Sequence, residues 1–233
     1  MLSRMNGTKQ IVCLASSRKS SGRRVAGREW SEERGPGDWI RPVSARVGEE
    51  VAFLERQYED GGEPHLLDIV EIPVLRARPK HHQAENWLLD PARRWRRAGR
   101  FAGNLSILED AADALWENGH SSKIGMNDRI PQALAHSMSD SLRLIEVERL
   151  SLWVCAPGEA FGNPRKRVQG RFSWAGCQHA MWMTDGHYEP IFKAKSFGLY
   201  QMGACHLTIS LGESYDDGFC YKFIAAIIPA VAP

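Results

Sequence analysis

Short runs of strand-like composition recur along the whole chain, and glycine or proline punctuates nearly every gap between them. Ile11-Val12-Cys13-Leu14 lies in one such run, Gln10 to Ala15. Others are Val25 to Trp30, Trp39 to Val43, Leu66 to Leu75, Leu142 to Val154, Val168 to Trp174, Gln178 to Thr184, Cys205 to Leu211 and Phe219 to Ile228. Runs of this length, rich in Val, Ile and aromatic residues and bounded by turn formers, read as β-strands. Gly35-Pro36-Gly37-Asp38 and Ala175-Gly176-Cys177 read as tight turns, the second within a hairpin. Pro42 confines its strand to an edge or a bulge, because proline cannot donate to a ladder. Helical spacing is confined to two places. Val51, Leu54 and Tyr58 fit a short helix within 48–58. Leu108, Ala111, Ala112, Leu115 and Trp116 fit a longer one, with Ser106 as N-cap and Gly119 as stop.

These features predict a mainly β protein with minor α content: two small β-barrels joined by a helix-containing connector. The expected division is 1–100 for the first barrel, 101–138 for the connector and 139–233 for the second. One continuous β-sandwich is the alternative, and no internal repeat is strong enough to show duplication. A chain of 233 residues with 43% hydrophobic and 25% charged residues can bury its own core without disulfides or a structural metal.

The net charge is only +2, but it is unevenly distributed. Met1 to Arg28 holds seven Lys or Arg and no acid, and Arg76 to Arg100 holds eight against Glu85 and Asp90. Arg165, Lys166, Arg167 and Arg171 form a third basic cluster, while acids gather between Glu49 and Glu63. Such separation can give a near-neutral protein a basic face. The competing reading of each cluster is solvated surface. The five cysteines are odd in number and lack C-x-x-C spacing, so they read as small buried hydrophobes in a reducing compartment. The longest early apolar run is too short for a signal peptide and the last too short to span a bilayer. A cytoplasmic protein with no membrane partner is expected.

Several stretches resemble a bacterial family of dual OB-containing domain proteins. They include Cys13-Leu14-Ala15-Ser16-Ser17-Arg18-Lys19, Trp39-Ile40-Arg41-Pro42-Val43-Ser44, Leu67-Asp68-Ile69-Val70-Glu71-Ile72-Pro73 and Glu85-Asn86-Trp87-Leu88-Leu89-Asp90. Asn127-Asp128-Arg129-Ile130-Pro131, Phe161-Gly162-Asn163-Pro164 and Leu207-Thr208-Ile209-Ser210-Leu211-Gly212-Glu213 extend the resemblance over most of the chain. It implies two OB-like barrels and no established activity, so it transfers no functional residue.

Four groups of residues are candidates for binding nucleic acid. The first is the loop Ser16 to Arg24, where Arg18, Lys19, Arg23 and Arg24 stand among Ser and Gly. Arginine forks match phosphate geometry, and small residues let backbone amides approach it. The second is Trp39 with Arg41 and Arg46; alternate positions on a strand share a face, so an aromatic would stack a base beside a cation. Burial of Trp39 in the core is the competing reading. The third is the Arg- and Trp-rich stretch with Trp87, Arg94, Trp95 and Arg97, and the fourth is Arg165, Arg167 and Arg171. Chemistry-bearing motifs are weak by comparison. Cys177 with His179 lacks further ligands for zinc, and His81-His82 would point apart. Asp128 and Asp185 each read first as turn residues, and no nucleophile elbow or H-E-x-x-H motif occurs. The expectation is therefore a non-catalytic nucleic-acid-binding module with no cofactor and no metal. A nucleotide-sensing or protein-adaptor module is the alternative, and a nuclease or other hydrolase a third.

Overall fold

The computed structural model describes residues 7–19, 22–159 and 162–230, and of Lys19 the backbone alone. The chain divides into two compact units, Met1–Leu108 with Ser139–Ser141 and Glu109–Met138 with Leu142–Pro233. Each contains one six-stranded sheet, as the mainly β expectation requires.

Unit 1 contains β1 (Gly7–Lys19), β2 (Gly22–Ser31), β3 (Gly35–Val43), α1 (Phe53–Arg56), β4 (Asp68–Ala77), β5 (Asn86–Leu89) and β6 (Arg96–Arg100). Strand order is β1-β2-β3-β5-β4-β6, and β1 also pairs with β4, so five strands form a closed circuit of ladders. All pairings are antiparallel except β3 with β5, which is parallel. Past Ile40, β3 leaves β2 and pairs only with β5, which accommodates Pro42 as an edge residue. A register shift between Cys13 and Ala15 bends β1 against β2. There a Cβ on Gly27 would lie 1.9 Å from the Val12 carbonyl oxygen, so this close approach requires glycine. Ile11, Cys13, Val25, Ile40, Val70 and Ile72 fill the core together with Tyr58 and Trp95.

Unit 2 contains β7 (Arg129–Pro131), α2 (Gln132–His136), β8 (Leu142–Cys155), β9 (Arg167–Trp174), β10 (Cys177–Met183), α3 (Tyr188–Lys193), β11 (Gly198–Ser214) and β12 (Phe219–Pro229). Its order is β10-β9-β8-β11-β12-β7, closed by a parallel pairing of β10 with β12. With β8 as first strand, this reproduces the circuit of unit 1: a three-strand meander, a short helix, then two strands that return to pair with the first and third. The two halves thus repeat a topology that no sequence periodicity displays. The hairpin expected at Ala175-Gly176 is present, with φ of 47° and 73°; positive φ at both central residues marks a type I′ turn, whose twist matches the flanking strands.

Two expectations are corrected. The helix from Ser106 to Trp116 is absent; only a single 3₁₀ turn, Leu105–Leu108, forms. Asn104 accepts the Ser106 amide through its side chain at 3.0 Å. Beyond the turn, Asp110 pairs with β8, its amide donating to the Leu144 carbonyl at 3.0 Å and its carboxylate accepting the Leu144 amide at 2.7 Å. Short polar side chains that bond nearby backbone compete with the helix. The apolar spacing serves burial of Leu115 in an irregular, bent segment instead. The irregular basic stretch 76–101 contains β5 and β6, whose composition hides them because β6 is solvent-facing and arginine-rich.

Candidate nucleic-acid interface

The first strand connection of each unit carries a predicted basic cluster. In unit 1 it joins β1 to β2, and Arg18 stands directly opposite Arg23 and Ser17 opposite Arg24. Like charges facing each other across a ladder repel unless an anion lies between them. Arg18 is exposed, and Arg23 donates to the Ser16 carbonyl and hydroxyl at 3.2 and 3.3 Å. The Lys19 side chain, with Ser20 and Ser21, lies outside the described residues. In unit 2 the equivalent connection joins β8 to β9, and Arg165 is exposed on it beside an Asn163 turn.

The outward face of β8, β9 and β10 brings aromatic and cationic groups together. Ladder register aligns Leu199, Trp153, Gln169 and Trp182 in one row across β11, β8, β9 and β10. The row exists because Leu150, Leu152 and Val154 on β8 and Val168 and Phe172 on β9 point to the core. Strand alternation turns Trp153, Arg167 and Arg171 outward. The Arg171 guanidinium lies 4.4 Å from the Trp153 ring centroid and that of Arg167 3.9 Å from Trp182, both within cation–π range. Gln169 accepts from Arg171 Nε at 3.0 Å and donates to the Ile124 carbonyl at 2.8 Å, which fixes the centre of the row. Trp182 is only 7% exposed, whereas Trp153 is half-buried and offers part of its ring to solvent. A groove of about 570 Å³ runs alongside, lined among others by Ser151, Arg171, Ser173, Trp174 and Gln178. Phe197 and Leu199 are more than half exposed, Leu199 at the β11 end of the row, with Lys166 5.1 Å from the Phe197 ring.

Unit 1 repeats one feature of this face. Arg28 on β2 lies 5.4 Å from the ring of its register partner Trp39 on β3 and donates to the Gly37 carbonyl at 3.0 Å. Trp39 is 7% exposed, so its plane is covered rather than offered. Arg41 is corrected outright as an outward-facing cation. It is buried, ion-paired to Glu85 at 2.9 Å and bonded to the Ser141 hydroxyl at 2.9 Å. Its guanidinium is committed to these two partners inside unit 1. Arg46 is exposed in the turn after β3. Arg94 donates to the Leu54 carbonyl at 2.6 Å, and Arg97 ion-pairs with the buried Asp68 at 3.2 Å. Trp95 belongs to the core, and Trp87 packs partly buried against it beneath Lys9. Within unit 2, Arg167 and Arg171 join the face of β8, β9 and β10; within unit 1, Arg18, Arg23 and Arg24 stand together on the paired ends of β1 and β2.

Trp153, Trp182 and Arg28 were not singled out from the sequence. The available signal was alternation within Leu142 to Val154 and Gln178 to Thr184, which puts both tryptophans on the polar phase of their strands.

The alternative chemical groups are committed elsewhere. The Asp128 carboxylate accepts the amide and hydroxyl of Ser122 at 2.7 and 2.6 Å, and Asp185 accepts the amides of His187, Tyr188 and Ile227. Burial pushes the Asp185 carboxyl above its ordinary value against those bonds. Burial also holds the thiols of Cys13 and Cys205 up at about 12, so neither is a thiolate near neutrality. His179 stacks on Phe172 with centroids 5.2 Å apart, and burial, then the nearby Lys222 charge, lowers its pKa to about 4. Lys222 itself is buried, donates to the Glu117 carbonyl at 2.6 Å and is lowered to about 8 by burial. No helix among the described residues is long and apolar enough to cross a membrane.

Closed five-strand circuits with a parallel pairing of third and fifth strands, present twice, define a tandem OB-type protein. The chain belongs to the dual OB-containing domain family, whose model matches residues 9–227. No curated protein and no solved structure matches it.

Proposed function

We propose that the protein is a non-catalytic module that binds single-stranded nucleic acid along the outward face of β8, β9 and β10. The observation that carries this reading is the part-exposed Trp153 in the Leu199–Trp153–Gln169–Trp182 row, with the Arg171 guanidinium 4.4 Å from its ring. OB folds take oligonucleotides or oligosaccharides on the face of their second and third strands and the connections beside it. β9 and β10 are those strands here. Arginine at Arg167 and Arg171, with Arg165 on the adjoining connection, favours the polyanion over the neutral sugar. An unpaired base can stack on Trp153 while Arg171 swings to a phosphate; a duplex hides its base faces from such a platform. Stacking and phosphate contacts are largely indifferent to sequence, so preference among sequences is weak.

Anisotropy of a labelled single-stranded oligonucleotide tests this directly. Trp153→Ala should weaken binding by about 1–3 kcal/mol, the usual contribution of one stacked base. Arg171→Ala should also weaken binding and flatten its salt dependence. Unchanged affinity in both variants would remove this face from the account. The exposed Phe197 and Leu199 favour a second reading, a protein adaptor. Under it, binding would be insensitive to salt and lost in Leu199→Asp.

A further inference from the structure

We propose that Glu109, Glu146 and His206 of unit 2 form a binding site for a divalent transition-metal ion of the zinc and manganese type. One donor atom from each lies within 4.8 Å of the other two, and the three residues come from separate segments. His206 on β11 and Glu146 on β8 are direct cross-strand partners. Glu109 is held beside them because the next residue, Asp110, is pinned to Leu144 by a reciprocal pair of hydrogen bonds.

The pairwise geometry suits a shared ion. His206 Nε2 lies 3.0 Å from Glu109 Oε1. Two ligand atoms bound at about 2.1 Å to one ion, with about 90° between them, stand at about that separation. Charge points the same way. Two carboxylates converge, and no Lys or Arg among the described residues ion-pairs with either; Arg143 pairs with Asp110 instead, at 3.9 Å. The imidazole is 6% exposed, and its Nε2 is turned to the Glu109 carboxylate. A buried ring with one bond, beside two carboxylates without a fixed cation, is a site short of positive charge.

One imidazole nitrogen with two carboxylate oxygens is the donor set of zinc, manganese or ferrous iron. Magnesium and calcium take oxygen alone, and thiolate is absent from this cluster. Three protein ligands leave a coordination position open. Glu146 also borders the groove that Arg171 lines, together with Glu148 and Arg149, so the ion would stand at the groove's edge. That last consequence rests on the nucleic-acid reading; the metal site itself does not.

Calorimetric titration of the full chain with ZnCl₂ and with MnCl₂, against MgCl₂ as the hard-ion comparison, tests the site. The expected result is saturable one-to-one binding of zinc or manganese, with a rise in melting temperature on adding the ion. Glu146 is exposed, so Glu146→Gln should fold normally, keep its metal-free melting temperature and lose at least about tenfold in affinity. His206→Gln should lose binding as well. No one-to-one binding of either ion to the wild type would overturn the proposal. So would wild-type affinity in both variants, which would place the ion elsewhere on the chain.

Discussion

Trp153 and Arg171 illustrate how position within a ladder decides what a side chain can do. Both point away from a core filled by their immediate neighbours, and they meet diagonally across β8 and β9. Arg41 has the same chemistry and the opposite fate, because its fork closes on Glu85 and Ser141 inside unit 1. Breaking a buried ion pair by removing one partner leaves the other charge uncompensated. Arg41→Ala should therefore cost about 3–5 kcal/mol of stability by chemical denaturation and leave oligonucleotide affinity of the folded protein unchanged. An affinity loss without a stability loss would return Arg41 to the binding surface. Sequence parity groups Arg41 with Trp39 correctly, but cannot reveal that Glu85, brought in by β5, lies in wait for it. Equally, nothing local in the sequence shows that Trp153, Gln169 and Trp182 share a row, since that depends on the register of three strands.

Elements with strong internal pattern were legible, and those defined by partners were not. The long strands β1, β4, β8 and β12 announce themselves by β-branched runs, and the β9–β10 turn by its glycine. β5, β6 and β7 are short, polar or both, and exist because a neighbouring strand supplies their hydrogen bonds. The missing helix after Ser106 shows the converse, a helical spacing overruled by backbone pairing of Asp110 with β8. At the β9–β10 turn, Ala175 holds a φ of 47°, where an L-residue with a plain Cβ is strained. Ala175→Asn should raise stability by roughly 1 kcal/mol, since Asn tolerates the left-handed region. A fall in melting temperature would show that the turn is not the type I′ geometry described.

At the scale of the whole molecule, two copies of one strand circuit are built from halves without visible sequence repetition, and unit 2 buries two ionisable groups, His179 and Lys222, that link folding to pH. His179 titrates near 6.5 when unfolded and about 4 when folded, so the folded state binds fewer protons between those values. Stability should fall as pH drops from about 6.5 to about 4 and receive no further loss from this group below. Replacing it by His179→Gln should remove a slope of up to about 1.4 kcal/mol per pH unit across that window in urea titrations. Lys222, at about 8 folded against 10.5 unfolded, should add stability as pH rises through that interval. Absence of either pH trend would mean that these groups are solvated in the folded protein.

The net charge of +2 makes the location of cations, not their number, the basis of the binding account. Anisotropy of labelled single-stranded and double-stranded oligonucleotides of one sequence, at low and near-physiological salt, tests that account most directly. Tighter binding to the single strand and an affinity that falls steeply as salt rises are expected. No binding of the single strand at low salt, or equal salt-insensitive binding of both forms, would contradict it.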